Sequence, residues 1–323
     1  MTFPRWYYGL RNAPLHGITH LIIWLVRILP ERAAFAMGKG LALLVWRLMP
    51  RWRRTARRNL EIFFGGKLSF ADRTRIGREA AVNLSYHVIE FIRMGYIPVE
   101  DALDMVVETE GIEHYQAALK EGRGVIGLGM HYGNWELSGA YMASRMLPAL
   151  GGYSLYAVGK EQRDAFFDRC TFPWRARYDI KNIYAGDKVA STILRALKQN
   201  ALLGLLADQN GGKNGTFAPF AGTMASTVAG PAALALKTGA PLLLTFCRRI
   251  SPGKLQFIVK PPLDTSNTPG YDPTTRRFNK EAVVEVLSRI NEAYEGVIRD
   301  DPTQWLWGHK RWKTRPPGEE GIY

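Results

Sequence analysis

Two cysteines in 323 residues, Cys170 and Cys247, exclude a disulfide framework, and neither lies at a spacing that gathers zinc ligands. They read as unpaired thiols of a reducing compartment, with Cys247, inside the apolar run LLLTFC, in the core. No G-x-S-x-G element occurs, which disfavours an acyl-enzyme on serine. Neither a phosphate-binding glycine loop, an internal repeat nor a low-complexity tract is present. Acid is scarce as well. The chain carries 29 Asp and Glu against 43 Lys and Arg, a net charge of +14. Such an excess fits an anionic partner: nucleic acid, a membrane surface, or an acidic carrier or substrate.

Long apolar runs are also missing. Ile18–Val26 is too short to cross a bilayer alone, and the segment His16–Pro30 is interrupted by Arg27. Its helix is either a marginal span with Arg27 snorkelling or an anchor lying in the interface. No small-residue cleavage site follows it. A second apolar piece, Ala33–Pro50, leads into the basic cluster Arg51–Leu60, suited to cytoplasmic headgroups. In residues 1–60 the only acid is Glu31. Coincident charge and apolarity favour a membrane surface over nucleic acid; the alternative is an amphipathic helical pair packed on the main domain. The expected division is a hydrophobic and basic membrane anchor over 1–60 and a second domain over 61–323.

What is there is globular: 46% hydrophobic and 11% aromatic residues. Ser69 with Asp72 marks a helix start, followed by Ile76, Ala80, Leu84, Val88 and Phe91 at helical spacing. Thereafter short apolar runs alternate with helical stretches. Strands are expected at Met105–Glu108, Val125–Leu128, Ser154–Val158, Asn182–Tyr184, Leu202–Ala207, Pro241–Cys247 and Leu255–Val259. Helices are expected at Ile112–Glu121, Trp135–Arg145, Arg163–Tyr178, Val189–Lys198, Val228–Thr238 and Thr274–Arg299. This pattern predicts an α/β fold: a mostly parallel sheet flanked by helices, with an N-terminal membrane-associated helical segment. Ligands of such sheets sit at the carboxyl ends of the strands.

One such end is chemically loaded. In GVIGLGMHYGNWELSG, His131 ends an apolar strand and Glu136 follows five positions later. On one continuous helix these side chains would point about 140° apart. With Gly133 and Asn134 making a bend, and Asn134 capping a helix from Trp135, they can converge. The chemical sense is a general base on His131, with Glu136 accepting from one ring nitrogen and fixing the tautomer. A satisfied structural pair is the other reading. Asp208 and Gln209 end a second strand at the same sheet edge, as site residues or as a turn start. Lys213, among three glycines, sits in a basic loop that either closes over a substrate or is only a loop. His309 reads as structural.

Four blocks together resemble the late acyltransferases of lipid A biosynthesis, within the lysophospholipid acyltransferases of H-x₄-D/E type. They are RRTARRNLEIFF (Arg53–Phe64), GMHYGNWEL (Gly129–Leu137), the stretch from LLADQNGGKNG to LLLTFCRR (Leu205–Arg249), and DPTQWLWGHKRWKTRPPGE (Asp301–Glu319). The resemblance covers nearly the whole length; an F-P-E-G-T-R-S element of the glycerol-phosphate branch is absent. It implies an enzyme of lipopolysaccharide biosynthesis at the cytoplasmic face of the inner membrane. The implied reaction moves an acyl group from an acyl carrier protein thioester to a hydroxyl of a glycolipid acceptor, a lipid A precursor. No cofactor, metal or nucleic acid is implied. The family's further basic residue maps best to Arg175, with Arg177 as a rival, and its acidic site residue to Asp208. The usual Arg-Pro before that helix is Lys160 and Glu161 here. The tail WGHKRWKTRPPGE interleaves Trp with basic residues and reads as an interfacial strip. The same chemistry on another hydroxylated lipid, or thioester hydrolysis, are the alternatives.

Overall fold

The computed structural model describes residues 13–159, 173–184 and 189–323. The chain begins with three helices, α1 (Ala13–Ile28), α2 (Glu31–Leu48) and α3 (Pro50–Phe63), separated at Pro30 and Met49–Pro50. The long α4 (Phe70–Met94) follows, its first turn closed by Ser69 Oγ accepting from Asp72 N at 3.0 Å. After the short α5 (Val99–Leu103) come β1 (Val106–Glu110), α6 (Ile112–Lys120), β2 (Val125–Gly129) and α7 (Trp135–Tyr141). The chain continues through β3 (Leu155–Gly159), β4 (Ile180–Tyr184), α8 (Val189–Lys198) and β5 (Leu202–Leu206). A hairpin of β6 (Thr216–Phe220) and β7 (Thr223–Thr227) precedes α9 (Gly230–Thr238), β8 (Leu242–Ser251), β9 (Lys254–Val259) and α10 (Lys280–Asp300).

Seven strands form one sheet in the order β1-β9-β8-β2-β5-β3-β4. All neighbours are parallel except β8 and β9, which form an antiparallel pair. The seven are the seven expected strands, shifted by a few residues at their ends. The β6–β7 hairpin was not anticipated, because Gly, Pro and Thr dilute its alternation.

Helical expectations shift where local chemistry intervenes. The helix expected from Thr274 begins at Lys280, because Asn279 caps it and Asp272 Oδ1 accepts from Thr274 N at 2.9 Å to make a turn instead. The stretch after Trp135 leaves α-geometry at Met142, where Met142–Met146 form a π turn. The helix expected at Arg163–Tyr178 lies mostly outside the described residues, as does Cys170; residues 173–176 are helical.

Among the described residues no helix is long and apolar enough to cross a membrane. Helices α1 and α2 bury Ile23, Val26, Ala34 and Phe35 against Ile89 and Ile92 of α4. Their outer faces leave Leu15, Ile18, Trp24, Leu44 and Leu48 exposed. Helix α3 enters the main core through Ala56, Leu60 and Phe63.

The C-terminal tail overturns the interfacial-strip expectation. Trp305, Trp307 and Trp312 are buried in the main core, and Arg311 is 0% exposed. The reason is that each indole N–H finds an internal acceptor: Asp208 Oδ2, Pro302 O and Phe220 O. A satisfied Trp is stabilised by burial at about the largest apolar area any side chain offers.

Candidate active site

Parallel register decides what meets at the strand ends. β2 pairs with β5 so that Gly129 lies beside Leu206. Two residues past each strand, His131 and Asp208 are therefore neighbours. Asp208 Oδ1 lies 2.8 Å from His131 Nδ1, and its Oδ2 accepts from His131 N at 2.9 Å. The Trp305 indole donates to the same Oδ2 at 2.8 Å. The expected bond from the ring to Glu136 is thus corrected: Asp208 holds His131. Glu136, on the first turn of α7, is engaged instead by Arg175. The guanidinium Nε donates to Glu136 Oε2 at 2.9 Å, and Nη2 donates to Oε1, a forked, bidentate pair. Arg177, the rival, donates to Met94 O and Ile97 O, at the end of α4 and just beyond it.

Electrostatics follow from this geometry. Burial alone would push the His131 imidazole down, but the Asp208 carboxylate, its hydrogen bond and the more distant Glu136 charge outweigh it, and the group lies above its ordinary 6.5. Asp208 is 1% exposed. Burial would raise its carboxyl, yet the His131 charge and hydrogen bonds and the Trp305 donor hold it below 3.8. An ionised Asp208 can only accept, so Nδ1 carries the proton and Nε2 is the basic nitrogen.

The turn between the two elements is held from all sides. Gly133 has φ +56°, and a Cβ there would lie 1.9 Å from Cys247 O, so only glycine fits. Gly133 N donates to Gln304 O and Asn134 N to Cys247 O. Leu306 N returns to His131 O at 3.0 Å. Asn134, fully buried, caps α7 by accepting from Leu137 N at 2.9 Å. Its amide donates to Glu90 Oε2 at 2.9 Å, and Glu90 is paired with Arg249; side-chain exposures are 0% and 3%. Because Asn134 Oδ1 is an acceptor, the His87 nitrogen 3.2 Å away must donate. His87 stacks on Trp135 with centroids 3.6 Å apart.

His131, Glu136 and Arg175 line a cavity of about 640 Å³ whose remaining wall is mostly apolar. Gln209 and Lys213 are not among its lining residues; Lys213 is exposed on a 3₁₀ turn, Gly212–Asn214. His309 accepts from Asn210 N at 3.1 Å, tying that loop to the tail, as a structural residue would. Trp305 was missed as a site residue; its only signal was a Trp close to two further Trp in a tail taken for a surface strip. Among the described residues no group of three His, Cys, Asp or Glu converges on a metal position.

A carboxylate-held imidazole stands at the strand ends of an α/β sheet and faces a mostly apolar cavity. The chain belongs to the bacterial lipid A biosynthesis acyltransferase family, whose model matches residues 14–314. It is an acyltransferase. It is 27% identical over 316 residues to a lipid A biosynthesis lauroyltransferase of Escherichia coli (strain K12), covering 96% of each chain. It is 25% identical over 308 residues to a lipid A biosynthesis palmitoleoyltransferase of the same organism, covering 94% of this chain and 92% of the relative. A shorter match, 27% over 146 residues, reaches a phosphatidylinositol mannoside acyltransferase of Mycobacterium tuberculosis (strain ATCC 25618 / H37Rv), 45% of this chain and 44% of that one.

Proposed function

We propose that this enzyme transfers an acyl group from an acyl carrier protein thioester to a hydroxyl of a lipid A precursor. His131 Nε2 takes the hydroxyl proton while Asp208 accepts from Nδ1 and stabilises the imidazolium that forms. The alkoxide oxygen bonds to the thioester carbonyl carbon, the carbon–sulfur bond breaks, and the proton on Nε2 passes to the departing sulfur. Arg175, held at the cavity wall by Glu136, offers guanidinium N–H donors to the tetrahedral oxyanion. The carrier is acidic, and a net charge of +14 suits it.

The observation that carries this reading is the 2.8 Å His131–Asp208 contact at the wall of a mostly apolar cavity. Exposed Leu15, Ile18, Leu21, Trp24 and Ile28 on α1, beside Arg27 and the basic α3, support docking on an anionic membrane surface. The orientation that follows is the cytoplasmic face of the inner membrane.

The test incubates purified enzyme with acyl carrier thioesters and a lipid A precursor and weighs the products. Acyl transfer that depends on His131 is expected. Transfer by His131→Ala at the wild-type rate would exclude the mechanism. Release of free fatty acid with no acylated lipid would make it a thioesterase, and acylation of a mannolipid alone would change the acceptor.

A further inference from the structure

Among the described residues Asp208 accepts from His131 Nδ1 at 2.8 Å, from His131 N at 2.9 Å and from the Trp305 indole at 2.8 Å. The first two donors belong to one residue. Oδ1 meets the ring and Oδ2 meets the main chain, so His131 by itself fixes the place and the tilt of the carboxylate. The indole bond, on Oδ2, is not needed to aim it. What that bond adds is electrostatic. A donor on a carboxylate stabilises its negative charge and leaves less of it for the group on the other oxygen.

The indole is held where it can do this. Trp305 is 3% exposed. Rings of Trp307, Phe220 and Phe63 surround it, with centroids 4.6, 5.8 and 6.2 Å away. They come from the tail, β6 and α3. Its main chain is fixed separately: Trp305 bridges Tyr132, and Leu306 N donates to His131 O at 3.0 Å. The tether between tail and active-site turn therefore does not depend on the indole N–H. In a buried setting a fixed dipole acts with little screening.

A base backed by a buried carboxylate is at risk of holding its proton too firmly. His131 already lies above 6.5. A general base works best when it titrates near the working pH, and here the same nitrogen must pass its proton to the departing sulfur. We infer that Trp305 acts on His131 through Asp208: its indole N–H draws charge from the carboxylate and so limits how firmly Nε2 binds a proton. The inference rests on the general-base role proposed above.

Other titratable or charged groups face the same couple. They are Glu136 of α7 with its partner Arg175, His87 of α4, Tyr294 of α10, and His309 and Arg311 of the tail. The indole N–H bonds to Asp208 and to none of these, so its removal leaves their fields in place.

The test removes that N–H and little else. Trp305→Phe keeps an aromatic ring. Should it fail to fold, the tryptophan analogue 3-benzothienylalanine at position 305 keeps the bicyclic shape with sulfur where the N–H was. One readout is the titration of the His131 ring by NMR of isotope-labelled histidines, its signal identified by its loss in His131→Gln; this requires no reaction. The other is kcat/KM against pH for transfer from an acyl carrier thioester to a lipid A precursor. The variant ring should titrate about half a unit or more above the wild type, since part of the worth of a charge-assisted bond passes on to it. The acid limb of the profile should move up by the same amount, with the high-pH plateau kept within about twofold. A merely structural indole would lower the plateau without moving the titration. An unmoved or lowered His131 titration would overturn the inference. A raised titration with an unmoved limb, or with no acyl transfer by any of the proteins, would uphold it and count against the general-base reading instead.

Discussion

Asp208 grips His131 twice, by the ring at 2.8 Å and by the main-chain N–H at 2.9 Å, although 77 residues separate them. The double contact locks both the imidazole's tautomer and the position of its backbone. In the proposed role of general base, an imidazole so held needs no rearrangement when it takes a proton.

Replacing Asp208 by Asn should therefore lower kcat by about 10²- to 10⁴-fold with the fold retained. The pH profile should move as well. As the proposed base, His131 must be neutral to act, so wild-type activity should rise with pH through a value above 6.5. Without Asp208, burial dominates and the acid limb shifts to lower pH. A kcat/KM profile of both proteins checks this, and an unmoved limb would remove Asp208 from the base.

The Glu136–Arg175 fork behaves as one unit in geometry and should do so in kinetics. Glu136→Gln and Arg175→Lys each lose the bidentate pairing, and each should cost roughly tenfold or more in kcat/KM, the worth of a charge-assisted bond of about 1.5–3 kcal/mol. The double variant should be little worse than either single one. Fully additive losses in a double-mutant cycle would show that the two act separately.

His87 makes folding stability depend on acid. Burial, the Arg249 charge, and the smaller effects of His131 and Arg175 outweigh the hydrogen bond to Asn134 and hold its imidazole well below 6.5. The unfolded chain binds a proton there that the folded chain refuses, so stability falls as pH drops below about 6.5, by up to about 1.4 kcal/mol per pH unit. His87→Gln, which keeps a donor for Asn134, should flatten that slope. Urea unfolding at several pH values between about 5 and 8 measures it, and equal slopes would exclude His87 as the cause.

On α1, Leu21 and Trp24 are both 54% exposed. Converting both to Glu should reduce binding to vesicles containing anionic lipid by at least about tenfold, with an unchanged melting temperature. Co-sedimentation at low and high salt reads the effect. Undiminished binding would move the docking surface elsewhere.

Much of this architecture is written in local patterns. Ser69 and Asn134 cap the helices their sequence promised, because capping needs only a side-chain oxygen three residues before an unsatisfied N–H. The central strands β2 (VIGLG) and β5 (LLGLL) are apolar runs, which a parallel sheet covered on both faces requires, whereas the edge strand β1 (VVETE) is mostly exposed. His131 at a strand end was legible for the same reason. Its partner was not: within the motif Glu136 is the near carboxylate, whereas Asp208 becomes near only through the β2–β5 register. The tail misled for a related reason, since a Trp-rich basic segment has one composition whether its indoles meet headgroups or a buried carboxylate.

Local periodicity and turn chemistry were thus enough to specify the strands, the bend at Gly133 and the histidine beside it. Pairing across the sheet settled the rest: which acid holds the imidazole and which carboxylate is left to Arg175. Those depend on hydrogen-bond register between distant segments, and no short-range pattern encodes it.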